Sequence, residues 1–129
     1  MFEINPMRFY YLLILLLFTN CYQKERNCTD FKEGKFESLI TIEGKDYEST
    51  FTRTAEIQIE TFENKTDSAH VRWINDCEVV FKTMNPKNMS ERKDIHLKIL
   101  FTTDSSYTFE YSYVGESSKQ KGVAKRITE

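Results

Sequence analysis

Residues 95–113 read IHLKILFTTDSSYTFEYSY, and this stretch decides the fold. Ile95, Leu97, Ile99 and Phe101 fall on one parity, against His96, Lys98 and Thr102 on the other. Asp104-Ser105-Ser106 breaks the run, and Tyr107, Phe109, Tyr111 and Tyr113 then alternate with Thr108, Glu110 and Ser112. Successive side chains leave an extended backbone on opposite sides, so a period of two marks a strand with one buried face. Two such runs about a polar turn predict an antiparallel hairpin.

The pattern continues in both directions. Upstream, Phe36, Ile40 and Ile42 share a side of Lys35 to Ile42, and Glu43-Gly44-Lys45-Asp46 reads as a turn. Tyr47 to Arg53 places Tyr47 and Phe51 inward against Glu48, Thr50 and Thr52. Ala55 to Thr61 predicts Ile57 and Ile59 inward, with Glu56, Gln58 and Glu60 outward. Asn64-Lys65-Thr66-Asp67 is the next turn signal. Val71, Trp73, Cys77, Val79 and Phe81 share one parity, with a turn or bulge expected at Asn75-Asp76. Asn85-Pro86 looks like a cap followed by a first helical residue, which predicts a short helical turn near 86–92. Downstream, Gly115-Glu116-Ser117-Ser118 turns into a last, more basic strand, Gln120 to Ile127, carrying Val123 and Ile127.

This amounts to an all-β chain, an antiparallel meander of 7–8 short strands. Its greasy face must be covered, either by closure into a small calycin-like barrel or curved half-barrel or by folding as a two-sheet β-sandwich. The barrel or half-barrel is the first expectation. Eight strands enclose just enough room for side chains or one small ligand.

The N-terminus reads as an address. Phe9 to Phe18 (FYYLLILLLF) is ten apolar residues, too short for a membrane span that needs about 20. With Arg8 before it, it fits the apolar region of a secretory signal. Initiation at Met7 would give a leader free of Glu3 and is the expected start. Thr19-Asn20-Cys21 follows and resembles the cleavage box of bacterial lipoproteins, whose Cys is acylated. The expected organisation is therefore a signal peptide over 1–20, a lipid-anchored tether over 21–29 and one β domain over 30–129. Plain secretion and an uncleaved anchor are the alternatives. Lipidation at Cys21 leaves Cys28 and Cys77 as an even pair in an oxidising compartment. A Cys28–Cys77 disulfide would close a loop of about 50 residues, worth roughly 4 kcal/mol. Two buried free thiols are the other reading.

Candidate chemistry is sparse. The chain has 129 residues, 18 Lys and Arg against 20 Asp and Glu, and a formal charge of −2, which gives no nucleic-acid footprint. There is no G-x-S-x-G elbow and no phosphate-cradling glycine loop. His70 and His96 lack ligand-spaced partners, so no metal site and no cofactor are expected, and neither is assigned a catalytic role. Glu56 and Glu60 read as solubilising carboxylates. Lys119, Lys121, Lys125 and Arg126 suit either anionic headgroups or the protection of an edge strand, and the second is preferred. Asp67-Ser68-Ala69 resembles a short O-glycosylation acceptor of Bacteroidota exported proteins and is expected in an exposed loop. Trp73, Phe81, Phe101, Phe109, Tyr111 and Tyr113 are expected on the concave face, filling it or lining a pocket.

CYQKERNCTDFKEGKF (21–36), TFTRT (50–54), VRWINDCEVVFKTMNPKN (71–88) and YTFEYSYVG (107–115) together resemble a family of short Bacteroidota lipoproteins. Members of that family often bear the name "DNA topoisomerase IV". A type II topoisomerase needs a nucleophilic Tyr beside Arg, an acidic magnesium cluster and an ATP site, which fill far longer chains. The resemblance therefore supports export and implies no catalysis. The expected protein is a non-enzymatic, lipid-anchored envelope protein, at the outer membrane on its periplasmic or surface face. It would act as a small binding or interaction module for a small apolar ligand or an envelope protein, with no nucleic-acid partner. A structural accessory subunit of an outer-membrane complex is the alternative.

Overall fold

The computed structural model describes residues 26–127. The leader, Cys21 and most of the expected tether lie outside the described residues. Eight strands follow one 3₁₀ turn at Cys28–Phe31: β1 Gly34–Ile42, β2 Lys45–Arg53, β3 Ile57–Phe62, β4 Lys65–Asn75, β5 Glu78–Thr83, β6 Ile95–Thr102, β7 Ser106–Tyr113 and β8 Gln120–Arg126. Each pairs antiparallel with the next, and β8 pairs with β1, so the meander closes into a barrel. Closure removes every edge. The sandwich is excluded, and so is the edge-strand explanation of the C-terminal lysines.

Tight turns make the meander possible. Glu43-Gly44 and Glu63-Asn64 join β1 to β2 and β3 to β4, and all four residues have positive φ. That is the mirror-image turn whose twist matches the flanking strands. The second turn comes earlier than the expected 64–67, because Lys65 to Asp67 already belong to β4.

Inward side chains build one aromatic core: Phe36, Phe51, Phe81, Tyr107 and Phe109 with Val79, Leu97 and Ile99. Phe36 stacks on Phe51 at 5.1 Å between centroids and meets Tyr107 edge-on at 5.8 Å. On β8 the buried inward positions are Gly122 and Ala124. A Cβ at Gly122 would come within 2.7 Å of Phe109 Cζ and 2.9 Å of the Leu39 carbonyl oxygen, so glycine lets the Phe109 ring approach the wall. Outward positions on β1 and β2 carry Lys35, Glu37, Thr41, Glu48, Thr50 and Thr52 with Leu39 as the one apolar member, a mostly polar face where a transmembrane barrel has an apolar band.

The 3₁₀ turn plugs one end. Cys28 and Phe31 are buried, and Cys28 is bonded to Cys77, in the β4–β5 connection, with a Cα–Cα distance of 5.2 Å. The chain approaches the plug along β6. Arg26 Nη1 donates to the Ile99 carbonyl at 3.1 Å, and the Asn27 amide donates to Thr102 Oγ1 at 2.9 Å. Arg126 locks the plug from outside, donating to the Asp30 and Glu33 carbonyls over the rings of Phe31 and Phe36.

Three expectations need correction. Residues 86–92 form turns, not a helix: Asn85 adopts φ 54°, which breaks the helical entry that Pro86 would need. The segment is held instead by Asn88 Oδ1 accepting the Glu91 amide and Glu91 Oε2 accepting the Lys87 amide. Phe101 faces solvent, because a register shift between Ile99 and Phe101 turns Thr102 inward in its place. On β3 the parity is opposite to the hydrophobic reading. Register sets Glu60 opposite Phe51 and Gln58 opposite Arg53, so Gln58 and Glu60 face the interior and Ile59 faces out.

Candidate functional site

The barrel is solid at the plugged end and hollow at the other. At the solid end sits Arg53, 1% exposed. It shares the inward parity of Phe51, and a cation so placed must be satisfied where it lies. Its Nε donates to the Lys32 carbonyl at 3.1 Å, and Nη1 donates to Gln58 Oε1 at 3.0 Å. Nη2 donates to the Phe31 carbonyl at 2.6 Å and to the Tyr107 hydroxyl at 3.1 Å. All four acceptors are neutral. Aromatic faces surround the guanidinium, including Phe51 at 5.3 Å and Trp73 at 5.4 Å, and their negative quadrupoles help to balance its charge. Arg53 thus ties the plug to β2, β3 and β7. Burial pushes the Tyr107 hydroxyl to a higher pKa, and the Arg53 charge pulls it back.

Above Arg53 a cavity of about 300 Å³ opens toward the end bearing the β1–β2, β3–β4, β5–β6 and β7–β8 connections. That volume equals about ten waters of the liquid and lies at the small end of ligand pockets. Its two walls differ. Ile95 and Leu97 of β6 with Phe109 and Tyr111 of β7 form an apolar wall. Opposite, Ser38, Gln58, Glu60 and Asp67 of β1, β3 and β4 form a polar one.

The polar wall follows from register. Ser38 and Ser49 are partners across β1 and β2, and their hydroxyls lie 2.8 Å apart. Ser49 Oγ in turn donates to Glu60 Oε2 at 3.4 Å. Glu60 faces Asp67 across β3 and β4, so two carboxylates look into the mouth side by side. Burial raises the Glu60 pKa above its ordinary value of 4.5 and the Asp67 charge raises it further, while the Ser49 hydrogen bond opposes both. The Tyr111 hydroxyl is likewise raised, by burial first and then by Tyr113 and Glu60.

Of the six aromatics expected on the concave face, Phe81, Phe109 and Tyr111 line the cavity. Trp73 packs against the core at the plugged end, beneath the Lys32 ammonium, and its Nε1 is buried without a partner. Tyr113 lies exposed at the rim with Lys93 over its ring, and Phe101 lies outside. Gln58, Glu60 and Arg53 were not expected inside. The available signal was Arg53 itself: its parity with Phe51 puts a cation in the core, and such a cation requires polar partners on the next strand. Asp67-Ser68-Ala69 lies in β4, not in a loop, with Asp67 turned to the mouth.

Neither histidine lines the cavity. His70 is exposed on β4, and His96 Nε2 lies 3.1 Å from Glu78 Oε1 on the outer face. The Glu78 carboxyl is lowered in pKa, chiefly by the hydrogen bond from Asn75. Among the described residues no group of His, Cys, Asp and Glu is arranged to hold a metal ion.

No family model matches the chain, and no curated protein matches it. Among solved structures the chain is similar to a redesigned β-barrel, with a TM-score of 0.52 and 10% identity over 82% of this chain and 100% of that one, a likeness of fold alone.

Proposed function

We propose that this protein is an envelope-anchored binding module, held at a membrane through acylated Cys21 and taking one small, mainly apolar molecule into its barrel. The observation that carries this reading is the two-walled cavity. A barrel this small can be filled completely by side chains, yet this one is filled only at the plugged end. The apolar wall of Ile95, Leu97, Phe109 and Tyr111 would hold the body of a ligand, and Glu60 and Asp67 would accept a hydrogen bond from its donor group. The Cys28–Cys77 bridge and Arg53 keep the opposite end shut.

The test is titration with a neutral apolar dye such as N-phenyl-1-naphthylamine, comparing wild type with Ala69→Phe. Ala69 lines the cavity and leaves room for a ring only where a ligand would sit. Saturable, one-to-one dye binding that Ala69→Phe abolishes supports the reading. No binding, or equal binding by a folded Ala69→Phe protein, refutes it.

A further inference from the structure

We infer that the molecule taken into the cavity is an amphiphilic amine, a compact apolar body carrying one ammonium group that sits between Glu60 and Asp67. The inference rests on the reading of the cavity as a ligand site and names the class that enters it. Three carboxylates line the cavity, Glu60, Asp67 and Glu91, against one cation, Arg53. Arg53 does not offset them, because its hydrogen bonds hold it at the floor on neutral acceptors. Among the described residues no ammonium or guanidinium forms an ion pair with any of the three. Lys65 follows Asp67 on the inward parity of β4 toward the mouth, but it lies exposed at the turn opposite Phe62 and pairs with neither carboxylate. Lys45, at the same rim, lies over the Tyr47 ring at 5.3 Å.

Strand register sets this pair apart from the rest of the barrel. On the outer face it places charges against their opposites. Glu78, Lys98, Glu110 and Lys121 alternate in one row across β5 to β8, and Glu37 faces Lys125. Glu60 and Asp67 are the only two carboxylates in register on the described strands, and they meet on the inside. Like charges directly opposite destabilise a ladder, and a recess that water only partly fills screens them less. A neutral donor satisfies a lone pair and leaves both charges standing. An ammonium has three donors and a positive charge, so it can bridge the two carboxylates and offset them. Burial and the Asp67 charge hold the Glu60 pKa up against the Ser49 hydrogen bond, so the pair draws positive charge into the recess. Opposite, Ile95, Leu97, Phe109 and Tyr111 receive the apolar body. A cavity of about 300 Å³ limits that body to on the order of ten non-hydrogen atoms.

The test is calorimetric titration of the full chain with octylamine, octan-1-ol and octanoate, which share a chain length and differ in head group. At about pH 7.5 the amine is protonated and octanoate is ionised. Wild type binds octylamine about tenfold or more tightly than octan-1-ol, and octanoate least. Glu60→Gln with Asp67→Asn removes the preference for the amine and keeps the alcohol. Glu48→Gln with Glu56→Gln removes the same formal charge from exposed positions outside the cavity and keeps the preference. Octan-1-ol bound as tightly as octylamine by wild type overturns the inference and leaves the cavity reading standing, whether or not the cavity variant folds. Loss of the preference in the Glu48, Glu56 variant also overturns it, because the attraction then belongs to the whole surface. A wild-type chain that binds none of the three overturns the cavity reading, and the inference with it.

Discussion

Replacing Arg53 by Ala removes the hub of the plugged end, and the cost can be worked from its contacts. The side chain is 1% exposed and makes four hydrogen bonds of 2.6 to 3.1 Å. Truncation orphans the Phe31 and Lys32 carbonyls and the Tyr107 hydroxyl, each worth about 1–3 kcal/mol when buried and unpaired. It also opens a void among Phe36, Phe51, Trp73 and Phe81. These losses overlap and are partly offset by no longer burying a charge, so the net expectation is about 4 kcal/mol. Arg53→Met keeps most of the volume but still strands both carbonyls, and is expected to cost about 2 kcal/mol. The assay is urea unfolding with the disulfide intact, read by the fluorescence of Trp73, whose ring lies 5.4 Å from the guanidinium. In a domain of this size about 4 kcal/mol corresponds to a fall in Tm of roughly 15–30 °C. A double-mutant cycle with Tyr107→Phe should show a coupling of about 1 kcal/mol. A loss below about 1 kcal/mol for Arg53→Ala would mean that the guanidinium is hydrated, and would refute the reasoning.

Two other perturbations follow from the same geometry. The folded chain holds the Glu60 proton more tightly than the unfolded chain does, so stability falls as pH rises from 4.5 through the raised folded value. Glu60→Gln should therefore be more stable than wild type near about pH 7.5, with the difference vanishing below about pH 4 in melting curves taken across that range. The Cys28–Cys77 bridge spans 49 residues, and Cys28→Ser with Cys77→Ser should lose about 4 kcal/mol in urea unfolding, matched by wild type under reductant.

The hydrophobic alternation made the strands and the barrel legible because most inward positions are greasy and most outward ones polar. It failed where the interior is polar. Ile57 and Ile59 look like the buried face of β3, yet pairing with β2 places Gln58 and Glu60 inside, where Gln58 partners Arg53 and Glu60 joins the polar wall of the cavity. It failed again at Phe101, where a bulge inverts the parity, and a bulge leaves no mark in the spacing of apolar residues. The Asn85-Pro86 signature carried the local signal of a helix start, but the positive φ of Asn85 sent the chain into turns. The disulfide was legible only by reading the leader as an export signal and setting Cys21 aside as the expected lipid site, which left Cys28 and Cys77 as an even pair. The plug it fastens was not, since Cys28 to Phe31 is too short to show a period.

The most direct test of the binding account is native mass spectrometry of the chain purified from membranes, followed by extraction under denaturing conditions. Wild type should carry one small molecule per chain that is released on unfolding, and Ala69→Phe should carry none. An empty wild-type protein, or identical cargo on both, would contradict it.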